Sequence, residues 1–185
     1  MSIRLLLVAA LFLCAIPAVQ AVEYTRVNTA ASQISFTYNQ MGSRMYGTFA
    51  KFDATLKLDT DNLANAQTTL HIDLTSIDAG SEDANTELVK PAWFDTARFP
   101  VAVFESSQFT RVSANHYLIA GRLTLKGITR DVKVPVELKP DSDIGIFDGE
   151  LLLDRDRFGL GAGEWADTVV SREIAIKFRV VAPQQ

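Results

Sequence analysis

Few side chains in this sequence have types and spacing suited to catalysis or metal binding. The histidines are His71 and His116, and the one cysteine is Cys14. His71 and Asp73 stand two residues apart, and imidazole and carboxylate groups are both metal ligands. The alternation around them places both side chains on the solvent face of a strand, and His116 follows a polar turn. We therefore predict no metal site, and no nucleophile with an evident base.

Two other motifs are compatible with a ligand-binding site but are better explained as a turn and as surface charge pairs. Gly159, Gly161 and Gly163 resemble the glycines of a dinucleotide-binding loop, which requires a buried parallel strand before it and a helix after it. The flanking residues alternate like antiparallel strands, so we predict a tight or bulged turn. Acidic and arginine side chains alternate in residues 154–157, which predicts mutual pairing on the surface. An arginine that faces a ligand is the alternative there.

The elements that would position these side chains are β-strands. Apolar and polar residues alternate with a period of two, which is typical of strands with one buried face. The polar turn at Asp61 and Asn62 predicts that the second and third segments form a hairpin. The predicted strands are residues 34–38, 52–58, 70–74, 101–104, 119–125, 132–138, 147–153 and 174–180.

One segment, around residues 81–98, lacks the alternation. Ser81 and the acidic pair after it can cap and start a short helix, which Pro91 ends. The segment also carries Trp93 and Phe94. Eight antiparallel strands leave edges that must be paired or covered, so we predict an all-β fold, a barrel or a sandwich, with one short helical insertion.

Composition predicts one domain with a sizeable core. The 185 residues are 48% hydrophobic and 22% charged, and the sequence contains no linker or repeat. Asp and Glu number 22 against 18 Lys and Arg, for a net charge of -4 without a basic block. Nucleic acid is therefore not expected as a partner.

The first 21 residues read as a signal peptide. A basic start is followed by an apolar run over residues 5–16, which is too short to span a bilayer. Small residues at Val19 and Ala21 predict cleavage after Ala21, which would remove Cys14 with the signal and leave residues 22–185 as a periplasmic domain without cysteine. A retained membrane anchor is the alternative.

The many aromatic residues allow two interpretations. An eight-stranded barrel has an interior just wide enough to be filled by side chains or to hold one small ligand. Composition alone leaves a packed core and a ligand cavity equally open.

Six short motifs follow one another along the chain: GTFAKF at 47–52, SID at 76–78, WFDTARFP at 93–100, AVFES at 102–106, GRLTLKGIT at 121–129 and DRFG at 156–159. Taken in this order, they resemble the YceI family of exported, lipocalin-like, polyisoprenoid-binding proteins. The resemblance implies an eight-stranded antiparallel lipocalin-like barrel that holds a long isoprenoid, such as a quinone or polyprenyl chain, in an apolar lumen. It also implies no catalysis and no other cofactor.

The sequence departs from the family pattern at two places. Many members carry an arginine-aspartate pair and then a histidine in the helical segment, where this chain has Ala84, Asn85 and Glu87. A histidine common at the end of the first long strand is Asn39 here. Any role of those side chains toward a head group or metal is therefore not carried over.

The apolar members of the alternating strands are the expected lining of the lumen. Phe49 and Phe52 lie three apart and share a face only if a bulge falls between them, so we include Phe49 on that condition. Trp93, Phe94 and Phe104 are expected to close or shape one end. The other candidates are Phe36, Tyr38, Phe52, Leu56, Ile72, Leu123, Ile176 and Phe178.

The expected function is to carry or store an isoprenoid lipid in the periplasm, as a monomer or weak homodimer, with an inner-membrane protein as donor or acceptor. One alternative is a hydrolase or isomerase that uses Asp83, Glu87 or His71 at the barrel mouth. Another is a structural or envelope-stress adaptor, in which a solidly packed barrel acts through its surface.

Overall fold

The computed structural model describes residues 22–161 and 169–185. The predicted signal peptide, with its cleavage after Ala21, lies outside the described residues, as does Gly163 of the glycine motif. Within the described ranges, no helix is both long and apolar enough to cross a membrane.

A single antiparallel sheet of eleven strands makes up most of the described chain, and its order is β1-β4-β5-β7-β8-β9-β10-β11-β2-β3-β6. The strands are β1 Glu23–Tyr24, β2 Gln33–Gln40, β3 Ser43–Phe49, β4 Phe52–Asp59, β5 Gln67–Asp73, β6 Ile77–Asp78, β7 Val101–Ser113, β8 His116–Leu125, β9 Ile128–Asp141, β10 Ile144–Asp154 and β11 Glu173–Pro183.

The helical insertion is short and begins as the sequence predicts. Helix α1 spans Glu82–Leu88, and the Ser81 hydroxyl accepts a hydrogen bond from the Ala84 N–H at 3.2 Å. Turns then carry the chain to β7, with the Phe94 N–H donating to the Leu88 carbonyl. Four 3-10 turns complete the secondary structure of the described residues: Thr29–Ala31, Leu63–Asn65, Leu74–Ser76 and Arg155–Phe158.

The antiparallel all-β fold with one helical insertion is confirmed, but the strand count of eight is too low. Besides the two-residue strands β1 and β6, the alternation missed β3, Ser43–Phe49. Gly47 is one of the inward positions of β3. The Phe36 ring of the neighbouring strand occupies the space that a side chain at this position would need. A glycine on the inner face breaks the apolar pattern by which a strand is recognised.

Tight turns join the long strands into a meander from β7 to β10, and residues 155–172 lie between β10 and β11. At the turn between β8 and β9, Lys126 and Gly127 both have positive φ, 51° and 72°, as two-residue hairpin turns require. The predicted hairpin of residues 52–58 and 70–74 is present as β4 paired with β5, with Ala54 opposite Leu70.

The sheet curls until its last strand meets an early one. β11 pairs with β2, so that Ile176 lies opposite Phe36. Among the described residues no ladder joins β3 to β4. The chain bridges that seam at two places, where β6 pairs with β3 and where β1 pairs with β4 while Tyr24 also bridges to Gln184. The sheet is therefore an open, curled barrel.

Two clusters of buried apolar residues lie inside the curl. The first cluster consists of Ile34, Phe36, Phe49, Leu74, Ile77, Ala79, Trp93, Ala102, Leu123, Leu125, Leu153, Phe158, Leu160 and Val170. The second cluster consists of Tyr24, Leu56, Leu58, Phe109, Tyr117, Ile119, Val134, Val136, Leu138, Phe147 and Ala182. The second cluster is densely aromatic: Tyr24 is 1% exposed and meets Phe147 edge-on, with ring centroids 5.2 Å apart.

Candidate functional site

A cavity of about 470 Å³ lies within the first cluster, between the inner face of the sheet and the helical insertion. Its size falls within the range of small-molecule sites, about 300–1,000 Å³. The strand alternation turns apolar side chains toward it from β2, β8 and β11, while α1 and the turns after it form the opposite wall. The inside of the curl is therefore not filled throughout.

Eight of the twelve residues predicted to line the lumen surround this cavity. They come from strands far apart in sequence and from the helical insertion. Whether they contact a ligand stays a prediction. The eight are Phe36, Tyr38, Phe49, Ile72, Trp93, Phe94, Leu123 and Ile176.

The other four predicted residues, Phe52, Leu56, Phe104 and Phe178, do not line the cavity. Leu56 belongs to the second cluster, and Phe52 is a partly buried residue packed against the first. Phe104 and Phe178 contact both clusters. Alternation tells which face of a strand is buried but not how far along the barrel a residue lies, so the sequence could not separate these positions from the cavity wall.

Further residues of the cavity wall were not among the predicted lining residues. Leu125, Leu153 and Ile174 continue the inward-facing rows of β8, β10 and β11. Extending the alternation to the end of each strand predicts them. Leu160 and Val170 also line the cavity, but they lie outside the strands and carry no periodic signal.

The mouth of the cavity is its polar end. Exposed Ser81 and Asp83 and half-buried Gln40 and Glu87 line it. The Glu87 carboxylate is held by the Lys90 ammonium at 2.5 Å. The mouth therefore presents hydroxyl, amide and carboxylate groups above an apolar interior.

Tyr38 lines the cavity two residues before the mouth residue Gln40 on β2. Its hydroxyl donates to the carbonyl of Ala79 at 3.3 Å, and burial raises the pKa of the phenol above its ordinary value. Tyr38 therefore stays neutral at physiological pH and leaves its ring against the cavity.

Arg155 lines the cavity although it is only 2% exposed. Its Cζ lies 5.7 Å from the centroid of the Trp93 ring, and its Nη1 lies 3.2 Å from Asp156. The guanidinium also donates to the main-chain carbonyls of Leu160, Gly161, Val170 and Ser171 at 2.7–3.1 Å. The prediction that the charges of residues 154–157 pair on the surface is therefore wrong for Arg155, which turns inward and fixes the wall.

The glycine motif next to Arg155 forms turns, as predicted for its described part. Gly159 and Gly161 have φ of 63° and 65°, and the Gly161 N–H donates to the Ala92 carbonyl at 2.8 Å. A Cβ on Gly161 would lie 2.6 Å from the Trp93 ring. The second glycine thus lets the loop close against Trp93.

The histidines lie away from the cavity. His71 Nδ1 is 3.1 Å from the Asp53 carboxylate of β4, on the exposed outer face, so it does not join Asp83 and Glu87. His116 is exposed and lies 3.1 Å from the Ser113 hydroxyl. In residues 22–161 and 169–185, no group of three or more His, Cys, Asp or Glu side chains is placed to hold a metal ion.

Between the cavity and the second cluster lies a floor layer, defined here as the four apolar residues that contact both clusters: Phe104, Val132, Leu151 and Phe178. None of the four lines the cavity. Ile176 lines the cavity, and Phe178 follows two residues later on the same face of β11. The cavity therefore lies on the side of the helical insertion, and the second cluster lies on the other side of the floor layer.

Glycines opposite the floor rings make room for them. Gly149 is the cross-strand partner of Phe178, and a Cβ built on it would overlap the Phe178 ring. A Cβ on Gly121 would lie 2.6 Å from the Phe104 ring. Both rings therefore lie close against the backbone of a neighbouring strand, where an added methyl group would displace them.

A family model described as the YceI-like domain matches residues 25–182. The chain belongs to this YceI-like family. Curated YceI relatives match part of it: a UPF0312 protein of Photorhabdus laumondii is 31% identical over 106 residues, 57% of this chain and 55% of its own length. Protein YceI of Escherichia coli O157:H7 is 31% identical over 111 residues, 60% and 58% of the two chains. The chain thus spans little more than half the length of these relatives.

Two solved structures share the fold. The crystal structure of Burkholderia cenocepacia BcnA has a TM-score of 0.81 at 36% identity and covers 84% of this chain and 99% of its own. A structure described as a polyisoprenoid binding domain from Saccharophagus degradans has a TM-score of 0.68 at 16% identity, covering 89% and 99%. The latter likeness concerns the fold alone.

At the positions where this chain departs from the YceI pattern, the side chains have other tasks. Ala84 and Glu87 line the cavity. The Asn85 side chain accepts a hydrogen bond from the Ala79 N–H at 2.7 Å, which ties α1 to the end of β6. Asn39 lies on β2 beside the mouth residue Gln40 and is exposed.

Proposed function

We propose that this YceI-family protein binds an isoprenoid lipid, such as a quinone or a polyprenyl chain, in the cavity of the first cluster. The observation that carries the proposal is a cavity of about 470 Å³ with an apolar interior and a polar mouth. An apolar tail fits the interior, and a polar head group fits the mouth. The description of the S. degradans neighbour as a polyisoprenoid binding domain adds support.

The tail provides most of the affinity. Each buried methylene contributes about 0.8 kcal/mol, whereas one head-group hydrogen bond at the mouth adds roughly 1 kcal/mol. Loss of translational freedom and ordering of the ligand chain offset about 4–15 kcal/mol of the gross gain. The interior therefore decides whether a ligand binds, and Gln40, Ser81 and Asp83 set how its head is oriented.

The role follows as binding and transport or storage rather than catalysis. Two ionisable groups of the cavity are already engaged: the Glu87 carboxylate pairs with Lys90, and Arg155 donates to main-chain carbonyls. His71, which a hydrolase or isomerase would need beside the mouth acids, lies on the outer face with Asp53. A carrier of this kind exchanges its lipid with an inner-membrane donor or acceptor.

We place the mature protein in the periplasm, on the strength of the signal pattern in residues 1–21. Intact-mass measurement of protein from a periplasmic extract should show a chain that begins at Val22. A mass that retains Met1, or that carries a lipid on Cys14, overturns this location.

Organic extraction of the purified protein, followed by mass spectrometry, tests the function directly, and an isoprenoid lipid is the expected product. Because Trp93 lies in the cavity wall, adding farnesol to delipidated protein should also change the tryptophan fluorescence, and Trp93→Phe should remove that change. Absence of any extractable lipid, together with no response to farnesol, overturns the proposal and favours a surface adaptor.

A further inference from the structure

We infer that the hairpin between β2 and β3 carries a docking tip for a phospholipid bilayer, defined here as Met41, Arg44 and Tyr46. The inference rests on the proposed function, because a lipid carrier takes its ligand from a bilayer or returns it to one. It adds the surface by which this chain approaches the bilayer. That surface lies at the mouth of the cavity, since Gln40, the last residue of β2, lines the mouth.

The docking tip exposes apolar side chains to solvent. Met41 is 76% exposed, the highest exposure of any large apolar residue in the described part of the chain. Tyr46 is 62% exposed and alternates with the buried Gly47, so it points to the outer face of β3. A Cβ built on Gly42 has no atom within 4 Å. The turn therefore has open space around it, and Met41 is free to enter an apolar phase.

The turn holds Met41 in a conformation that suits other residues better. Gln40 pairs with Ser43, which leaves a two-residue loop, and its residues Met41 and Gly42 have φ of 48° and 80°. Two positive values are typical of a type I′ turn, for which Asn-Gly is a favoured sequence. The other non-glycine residues with positive φ in residues 22–161 and 169–185 are polar: Asp95, Lys126 and Ser142. An exposed thioether that does not favour its own turn points to a use outside the fold.

Backbone hydrogen bonds hold the docking tip beside the mouth. The Met41 N–H donates to the Val169 carbonyl at 2.9 Å, and the Ser171 N–H donates to the Asn39 carbonyl at 2.8 Å. β2 is thus paired on both edges up to Gln40, by β3 on one side and by residues 169–171 on the other. A surface that binds the docking tip therefore lies next to the opening of the cavity.

The size and composition of the docking tip fit a bilayer better than a protein partner. Two apolar side chains fall far short of the roughly 20–30 residues that each partner contributes to a stable protein interface. In a bilayer, Met41 can enter the acyl region, while a tyrosine suits the head-group level and the exposed Arg44 can pair with phosphates. Glu82 and Asp83 of α1 are exposed acids at the same end of the barrel. We therefore expect contact through the docking tip rather than through the whole rim.

Flotation with vesicles of phosphatidylethanolamine and phosphatidylglycerol tests the inference. The purified protein should float with the vesicles, and Met41→Asn should lower its partition coefficient at least about fivefold, because an apolar side chain is lost from the bilayer. Val112→Asn is the matched control and should float like wild type. Val112 is 68% exposed and lies three residues beyond Phe109 of the second cluster, away from the cavity.

Thermal unfolding guards against a trivial loss of flotation. Met41→Asn should be at least as stable as wild type, because asparagine before Gly42 suits the type I′ turn. A less stable variant would show that Met41 serves the turn itself, and it would overturn the inference.

Transfer of a fluorescent farnesyl compound from loaded protein to the same vesicles tests whether docking serves the ligand. If the docking tip meets the bilayer before release, the transfer rate should rise with vesicle concentration, whereas release through water gives a rate that does not depend on it. Met41→Asn should slow transfer at least about fivefold, in line with its weaker partition. Its affinity for the compound should stay within about twofold of wild type, because Met41 is not among the residues that line the cavity.

The outcomes separate the two proposals. If the farnesyl compound does not bind, while the wild-type protein floats and Met41→Asn does not, the proposed isoprenoid binding fails and the docking tip stands. If the compound binds but the wild-type protein does not float, or its transfer rate is independent of vesicle concentration, only the present inference is overturned, and a protein donor is favoured instead. Equal loss of flotation in Met41→Asn and Val112→Asn also overturns it.

Discussion

Arg155 and Trp93 meet at the cavity wall, the guanidinium Cζ lying 5.7 Å from the centroid of the indole ring. Each belongs to a different part of the chain: Trp93 to the turns after α1, and Arg155 to the 3-10 turn after β10. The contact brings the helical insertion and the segment after β10 together on one side of the cavity. Arg155 is thus a structural cation within the candidate site.

We expect Arg155→Lys to destabilise the folded protein by at least about 3 kcal/mol, because an ammonium cannot reach the several carbonyls that the planar guanidinium satisfies, and unsatisfied buried acceptors are costly. Urea unfolding measures the change. Arg157→Lys, an exposed position on the same turn, is the matched control and should change stability little. Equal stability of the two variants would contradict the role assigned to Arg155.

Leu123→Trp should remove the bound lipid while leaving the barrel folded. Leu123 lines the cavity on β8 and is 8% exposed, so an indole at this position occupies ligand space without adding charge. We expect the extracted lipid to fall at least about tenfold, since the lost burial outweighs the head-group contacts. Leu152→Trp, on the outer face of β10, serves as control. A folded Leu123→Trp protein with a full complement of lipid would show that the ligand lies elsewhere.

The mouth acids should contribute little to retention of the ligand. With Asp83→Asn or Glu87→Gln, we expect lipid affinity to stay within about fivefold of wild type, the value of one hydrogen bond. Displacement of a fluorescent farnesyl compound from the delipidated protein measures the affinity. A variant that binds lipid normally but loses a cellular function would favour the catalytic alternative.

Gly149→Ala should destabilise the protein by about 1–3 kcal/mol, because its methyl group overlaps the Phe178 ring in an overpacked core. Phe178→Leu in the same chain removes the overlap and should recover at least half of the loss. Thermal unfolding of the four members of this double-mutant cycle gives the coupling. Additive effects would mean that the ring and the glycine do not constrain each other.

The pH dependence of stability should have a component from Asp148. Its carboxylate accepts from Arg179 at 2.8 and 3.0 Å and from Lys139 at 3.0 Å. The Arg179 hydrogen bonds, followed by that of Lys139, lower the pKa of Asp148 from 3.8 to about 2. Since the folded-state pKa is lowered, the stabilisation is present above about pH 4 and disappears as the pH falls through 2.

On the partly exposed outer face, the ion pairs are worth about 1 kcal/mol after allowance for solvent screening. Asp148→Asn should therefore be less stable than wild type by about that amount at neutral pH, and the two proteins should converge near pH 2. Urea unfolding across the pH range gives the comparison. A difference that persists unchanged below pH 2 would show that ionisation of Asp148 is not its source.

The sequence predicts the fold better than it predicts the shape of the site. Period-two alternation correctly turns Phe36, Leu123 and Ile176 inward, because burial of one strand face is a local property. The depth of Phe178 depends on which residues of other strands lie beside it, and that register is not local. For this reason the alternation grouped floor and wall residues together.

Arg155 shows a second limit of sequence analysis. A charged residue among alternating charges is ordinarily solvated, and its burial depends on carbonyl acceptors at Leu160, Gly161, Val170 and Ser171. Main-chain carbonyls carry no signal in the sequence. The alternation missed strand β3 for a related reason. Gly47 has no side chain to continue the apolar pattern, and the Phe36 ring occupies the space beside it.

The pairing of β11 with β2 constrains how this chain can fold. The contacts that complete the curl join residues about 140 positions apart in sequence, as in Ile176, which pairs with Phe36. Contacts between distant residues carry a high loop-closure cost and slow folding. A chain emerging from the ribosome therefore lacks the partner that β2 needs on its second edge until β11 has been made. Closure is consequently a late step, and the unpaired edge of β2 is exposed to association with other chains during synthesis.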